Sequence, residues 1–440
     1  MPPTVMYWNK EMETLDRRSL ERLQLQRLNK TLERASRAPF YRERMGKQGG
    51  RCLSSLGDVR HLPFTTKAEL RDAFPYGFLA APLESIVRLH SSSGTTGNPT
   101  VIYHTRDDIK IWQDLVARCM YMTGMRKTDV FQNMMGYGLF TGGLGFHYGA
   151  EKLGAMTIPI GPGSSKRQIW FMREFGTTVM HILPSYALRL STHVREQGLD
   201  PRRDFKLRMA YIGAEPHTEE TRRKIEETWG IEVYNSYGLS EMCGPGVAFE
   251  CPAQSGMHIW EDNFVVEIVD PQNGTSLPDG ECGELVLTSI NKAGTPLLRY
   301  RTRDLTSILP GPCACGRTHR RIDRIRGRSD DMMIINGVNI FPMQIEQTLM
   351  RISGIGTNYQ IEIHEESYMD KLHVSVELAP DAFQGTLGQV ESLQGRVCAA
   401  LREETGVTPV VKLLEAGSLP AAEGKAVRVV DLRKQSGRGC

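Results

Sequence analysis

The feature that most constrains this chain is a series of four short apolar runs, "AMTIPI" (155–160), "TVMHIL" (178–183), "LRMAYI" (207–212) and "IEVYN" (231–235). Each stops at a polar or Gly/Pro cluster: "GPGSS", "PSYA", "GAEP" and "SYGLSE". Helical stretches such as "EETRRKIEETWG" lie between them, which predicts crossover units and a mainly parallel sheet in an α/β fold. Ligands of such sheets bind beyond the carboxyl ends of the strands, so these clusters are the candidate active site.

At 440 residues the chain exceeds the size at which one core keeps growing, which implies a large domain plus a smaller one. Leu20, Leu23, Leu28 and Leu32 fall near helical spacing after Asp16, a fitting N-cap, and predict an amphipathic helix to about Ser36. From about residue 263 the pattern turns β-rich, with "FVVEIVD", "GELVLTSI" and "LLRYRTRDLTSIL" around the turn-rich "PQNGTSLPDGE". After "GRSDD" a small α+β unit follows: a helix at "FPMQIEQTLMRI", strands at "NYQIEIHE" and "LHVSVELA", a helix near 388–405 and a strand at "PVVKLLE". The expected domains are 1–329 and 330–440, with the hinge at Asp330.

Fifty-four basic against fifty-one acidic residues leave a net charge of +3, too small and dispersed for a nucleic-acid footprint. The Arg-rich "CGRTHRRIDRIRGR" is the local exception, and no aromatic platform accompanies it. No stretch approaches ~18 uninterrupted apolar residues, so no membrane span is expected. The N-terminus lacks the order of a signal peptide, which predicts a cytoplasmic protein whose nine cysteines are thiols or metal ligands.

"HSSSGTTGNPT" (90–100), directly after the strand-like "SIVRL", holds enough hydroxyls and unobstructed backbone N–H groups to cradle phosphate, and could equally be an ordinary turn. It is not a Walker loop, because Asn98 follows the second glycine and the Lys-Ser/Thr pair is missing.

Taken in order, "SSSGTTGNPT", "GAEP" (213–216), "SYGLSE" (236–241), "YRTRDL" (300–305), "GRSDDMMIINGVNIFP" (327–342) and "EGKAVRVVDLR" (423–433) resemble the motifs of adenylate-forming enzymes. "YGLFTGGLGFHYGAE" and "GLSEMCGPGVAFEC" are similar to the phenylacetate–CoA ligase family within that superfamily. The resemblance spans nearly the whole chain. It implies an acid–thiol ligase that joins an aryl carboxylic acid to ATP as an acyl-adenylate and then passes the acyl group to coenzyme A. Its alternatives are an adenylating enzyme that loads a carrier-protein thiol and a non-catalytic adenylate-binding protein.

The resemblance implies a role for each motif. Ser92, Ser93, Gly94, Thr95, Thr96 and Gly97 would donate to the β- and γ-phosphates, although Asn98 stands where the family usually carries lysine. Glu241 would hold Mg²⁺, a hard ion suited to carboxylate and phosphate oxygens. Tyr237 would offer a flat face for adenine beside Gly238, with Gly213, Ala214, Glu215 and Pro216 opposite. Asp304 and Arg328 would hold the ribose hydroxyls, a carboxylate being able to accept from both at once. Lys425 would counter charge between carboxylate and α-phosphate, and Asn339 has no assigned role.

The small unit is expected to rotate about Asp330 between the two steps, with Gly337 on the face that approaches coenzyme A. Tyr137, Phe140, Gly142, Gly143 and Pro245 would line the aryl pocket, and the glycines could equally serve helix packing. The expected partners are the acid, ATP and coenzyme A, with no nucleic acid or membrane, and a homodimer stays open.

One constellation departs from many phenylacetate ligases. Cys251 and His258 in "ECPAQSGMH" with Cys313 and Cys315 in "GPCACGRTH" make a donor set for a closed, structural Zn²⁺ site, and His319 competes with His258 for the fourth position. The alternative is a set of buried thiols.

Overall fold

The computed structural model describes residues 6–46, 52–91, 98–139, 141–366, 369–379, 387–419 and 428–433. The apolar runs form the strands Met156–Ile158, Val179–Ile182, Met209–Gly213 and Glu232–Leu239, which with Val130–Asn133 make the parallel half of a nine-stranded sheet. Successive side chains alternate across it. Val179, Met209 and Tyr211 pack toward the helices Arg106–Met122 and Thr141–Leu153, while Met180, Ala210 and Ile212 pack toward Pro184–Glu196 and Glu219–Trp229. Both faces are covered, which is why these strands read as continuous apolar runs.

The other half of this sheet was not anticipated. The strands Gly244–Glu250, Met257–Ile259, Arg321–Ile322 and Ile308–Leu309 extend it with antiparallel pairings. Sequence as distant as Ile308–Ile322 therefore completes the sheet begun at Val130, and "mainly parallel" holds for its first half. The strands Phe264–Val269, Gly283–Ser289, Tyr300–Thr306 and Gly327–Arg328 form a separate antiparallel sheet.

The helix Arg17–Ala35 is capped as expected by Asp16, whose carboxylate accepts from Ser19 N. Helix Glu219–Trp229 starts at Thr218, which caps Thr221 N, and stops at Gly230 in the left-handed region. In the C-terminal unit, the helices Pro342–Met350 and Leu387–Thr405 accompany a sheet of Ile355–Glu366, Met369–Leu378, Val410–Leu414 and Val429–Asp431, with its own core around Ile361, Val374 and Val397. A hairpin, Met333–Ile335 with Val338–Ile340, leads into it. Its turn residues Asn336 and Gly337 both have positive φ (48° and 83°), the Asn-Gly signature of a type I′ turn.

The first described residues clasp a distant loop. Tyr7 Oη donates to Cys315 O (3.1 Å), Thr318 N donates to Glu13 O (3.2 Å), and Arg317 Nε reaches Glu13 Oε2 at 2.7 Å. Arg317 and Glu13 are both fully buried, so loss of either leaves an unpaired buried charge at a cost of about 3–5 kcal/mol.

Candidate functional site

The site lies where the parallel strands end. Gly213 closes its strand so near its neighbour that an added Cβ would stand 2.3 Å from Ser236 O, and a Cβ at Gly238 would stand 1.9 Å from Gly244 O. The first lets the "GAEP" and "YGLSE" turns lie side by side, and the second lets "YGLSE" close against the strand that follows it. Ala214 and Pro216 are exposed, whereas the Glu215 carboxylate turns inward and accepts from Ser185 N at 2.6 Å. Burial holds Glu215 above the usual carboxylate range, against the pull of that hydrogen bond.

Beyond the turns, three expected residues meet. Tyr237 Oη donates to Asp304 Oδ2 at 2.6 Å, and Arg328 Nη1 lies 3.2 Å from Asp304 Oδ1. Strand pairing sets the second contact, because Asp304 and Arg328 are cross-strand partners. Burial raises the Asp304 pKa, while the Tyr237 hydroxyl and the Arg328 guanidinium oppose the rise. Arg328 also makes a bidentate pair with Asp330, both contacts at 2.9 Å.

Glu241 is buried at the end of "YGLSE", where Tyr300 Oη donates to its Oε1 at 3.1 Å. Two lysines stand beside it. Lys67 Nζ is 3.9 Å from the same oxygen, and the buried Lys292 donates to the Glu241 carbonyl at 3.4 Å. Neither was anticipated. Lys67 opens the short helix Lys67–Asp72, held by a reciprocal Thr66–Glu69 capping box, and its ammonium is part-exposed.

Residues Ser92, Ser93, Gly94, Thr95, Thr96 and Gly97, with Phe140 and Lys425, lie outside the described residues. The hairpin that carries the loop is described: strands Ile86–Ser91 and Val101–Thr105 flank it, and His90 Nδ1 donates to Leu139 O at 3.0 Å. That bond ties the root of the hydroxyl-rich loop to the segment expected to wall the acyl pocket. Asn98 is exposed.

In that wall, Tyr137 Oη accepts from Asn133 Nδ2 at 2.9 Å and lies 3.3 Å from His147 Nδ1. Burial pushes the Tyr137 phenol up to about 12, so it stays a neutral donor. Gly142 is part-exposed with room beside it, but Gly143 is buried, and a Cβ there would meet Gly136 O at 2.4 Å. Packing therefore explains Gly143. Pro245 is held by its carbonyl, which accepts from Trp112 Nε1 at 2.9 Å. Asn133 and His147 went unnoticed in the sequence because nothing in their local pattern marks them. Asp330 is exposed beside Arg328, and Gly337 stands at the tip of the hairpin with nothing within 4 Å of a built Cβ, so its backbone angle is what calls for glycine.

Remote from these groups, Cys251, His258, Cys313 and Cys315 converge. All four are buried, and their donor atoms lie within 4.8 Å of one another. Cys251 Sγ and Cys313 Sγ are 3.6 Å apart, far beyond a disulfide bond and close to the ~3.7 Å edge of a tetrahedron with metal–sulfur bonds of about 2.3 Å. His258 Nδ1 donates to His319 O at 3.0 Å, which leaves Nε2 as an acceptor 3.2 Å from Cys315 Sγ. His319 itself is occupied: its Nδ1 accepts from Glu261 N and its Nε2 donates to Met12 O, each at 3.0 Å.

A family model described as AMP-binding enzyme matches residues 53–293, and one described as AMP-binding enzyme C-terminal domain matches 337–433. The chain is 45% identical over 429 residues to the phenylacetate-coenzyme A ligase of Pseudomonas putida, covering 97% of both chains. Against the Escherichia coli and Thermus thermophilus enzymes of the same name it is 44% and 41% identical, covering 96% and 98% of this chain and 97% and 100% of theirs. Its fold is similar to that of a 2-hydroxyisobutyryl-CoA ligase in the postadenylation state with its acyl-AMP, at TM-score 0.92 and 30% identity over 99% of this chain and 94% of that one. With CoA bound in the thioesterification state, that ligase matches at TM-score 0.71, 31% identity and the same coverage. The parts of this chain are thus arranged more like those of that ligase in its postadenylation state than in its thioesterification state.

Proposed function

The chain belongs to the AMP-binding enzyme family, among the phenylacetate–coenzyme A ligases, and from that premise we propose how its residues divide the two steps of an ATP-dependent, AMP-forming acid–CoA ligation. In the first step a carboxylate oxygen of phenylacetate attacks the α-phosphorus of ATP. The bond to the β-phosphate oxygen breaks, and pyrophosphate leaves with the electron pair. In the second, the coenzyme A sulfur attacks the acyl carbonyl, the thiol proton is lost, and AMP departs as a phosphate anion.

The observation that carries this reading is the Tyr237–Asp304–Arg328 cluster at the strand ends. A buried carboxylate, already held by a phenol and a guanidinium, is suited to accept both ribose hydroxyls. Tyr237 then serves through its hydroxyl as well as its ring. Ala214 and Pro216, exposed opposite, border the adenine. Glu241 would hold Mg²⁺, which would supply charge neutralisation at the phosphates. Lys67 and the donors of residues 92–97 orient the departing pyrophosphate, with Lys67 compensating for Asn98. Lys425 neutralises charge at the α-phosphate, by resemblance alone. Tyr137 and Pro245 border the aryl group, residues 330–440 turn about Asp330, and Gly337 approaches coenzyme A in the second step.

We assign Cys251, His258, Cys313 and Cys315 to a structural Zn²⁺. Three thiolates and one oriented imidazole leave no open position, so the metal would cross-link the loop at 313–315 to the main sheet.

A panel of carboxylic acids tests the function through pyrophosphate exchange and AMP release, with and without coenzyme A. Phenylacetate should give the highest kcat/KM, and release should saturate with coenzyme A. Absence of exchange with phenylacetate, or transfer to a carrier-protein thiol in preference to coenzyme A, refutes the reading.

A further inference from the structure

The helix Glu219–Trp229 of the large sheet and the helix Pro342–Met350 of the C-terminal unit meet across the junction that the proposed rotation about Asp330 would open. At their contact lies a buried carboxylate, Glu346. Its Oε1 accepts from Thr221 Oγ1 at 3.1 Å, and its Oε2 accepts from Tyr359 Oη at 2.7 Å. The Thr218 backbone N–H faces it as well, so the carboxylate occupies the amino end of an eleven-residue helix belonging to the other unit. Arg428 completes the set: it lies over the Tyr359 ring at 4.3 Å, donates to Asn358 Oδ1 and Tyr359 O, and is the cation facing both Glu346 and Glu215.

A second contact, Arg351 to Glu220 at 3.0 Å, crosses the same junction. Arg351 is 55% exposed, so that pair is screened by water and contributes little. Glu346 is different. It is buried and held by Tyr359, so its hydrogen bond to Thr221 is made out of contact with water, and each separation of the two helices must break it. The arrangement containing this contact is the postadenylation-like one, since the same neighbour matches at TM-score 0.92 in that state and 0.71 in the thioesterification state.

We propose that Glu346 is a positioning residue for the adenylation half-reaction, pinning the C-terminal unit to Thr221 while the acyl-adenylate forms and releasing it before thioester formation. This rests on the two-step ligase reading. The pin biases the equilibrium between two arrangements of the same two bodies, so its removal depletes the adenylating one.

Half-reactions measured separately test it. Acyl-adenylate formation is followed by rapid quench from phenylacetate and ATP, and thioester formation from supplied phenylacetyl-adenylate and coenzyme A. Thr221→Val and Glu346→Gln should each slow the first by about tenfold and leave the second unchanged or faster. Thr221→Ser, which keeps the hydroxyl, should match the wild type, and the double variant should be no slower than the worse single one. An equal fall in both half-reactions, no fall in either, or a Thr221→Ser variant behaving like Thr221→Val overturns the proposal. If Glu346→Gln does not fold, the two Thr221 variants decide. A wild type inert toward every acid removes the ligase reading and this inference with it, whereas an active wild type whose variants show no split removes the inference alone.

Discussion

Tyr237 and Asp304 belong to different sheets, yet the phenol of one donates to the carboxylate of the other at 2.6 Å. That bond joins the carboxyl end of the parallel sheet to the β-rich subdomain at the place where the ribose is expected. It also opposes the rise that burial imposes on the Asp304 pKa.

The pH dependence follows in sign. Burial raises the Asp304 pKa in the free protein, and Tyr237 and Arg328 oppose the rise. As pH falls through that raised value the carboxylate gains a proton and loses acceptor capacity, so kcat/KM for ATP falls on the acid side. Tyr237→Phe removes one lowering influence and should move this acid limb to higher pH. Pyrophosphate-exchange profiles of the two proteins check it, and a limb shifted to lower pH contradicts the assignment.

Lys67 Nζ stands 3.9 Å from Glu241 Oε1, the carboxylate proposed to hold Mg²⁺ at the phosphates, and Asn98 carries no charge. Lys67→Ala should lower kcat/KM for ATP by about 10- to 100-fold, the worth of a charge-assisted contact of roughly 1.5–3 kcal/mol. Thioester formation from supplied acyl-adenylate, which involves no pyrophosphate, should be unaffected. Asn98→Lys in the Lys67→Ala background should recover part of the loss.

Lys425→Ala should abolish acyl-adenylate formation and spare thioester formation from supplied acyl-adenylate. Comparable loss in both half-reactions would place the lysine in general folding or nucleotide binding instead.

Metal analysis of the purified protein should give about one zinc per chain. Cys315→Ser should lower both zinc content and Tm, and should speed proteolysis of the amino-terminal residues, because Tyr7 bonds to the backbone of that same cysteine. A zinc-free protein with native stability removes the metal site.

The sequence made some parts of this molecule legible for physical reasons. The runs around Val179, Met209 and Val233 are apolar on both faces, and only a strand covered on both sides needs that. Glu241, Asp304 and Arg328 are marked as candidates by their motifs. Lys67 was not, since a lysine at the start of a six-residue helix reads as a solvated side chain, and its place beside Glu241 exists only in the folded chain. The antiparallel half of the main sheet was hidden similarly: Arg321–Ile322 is two residues long, too short to carry a pattern. Glu346 and Thr221, 125 positions apart, were equally silent.

The Glu13–Arg317 pair closes a span of 304 residues. During synthesis the amino-terminal segment must therefore wait, with Glu13 in water, until nearly three quarters of the chain has left the ribosome. The loop holding Arg317, between the strands Ile308–Leu309 and Arg321–Ile322 of the main sheet, cannot bury that cation without it. A shortened amino terminus would accordingly be felt late, as a failure of the antiparallel half of the main sheet to settle, in a part of the protein far along the chain from the deletion.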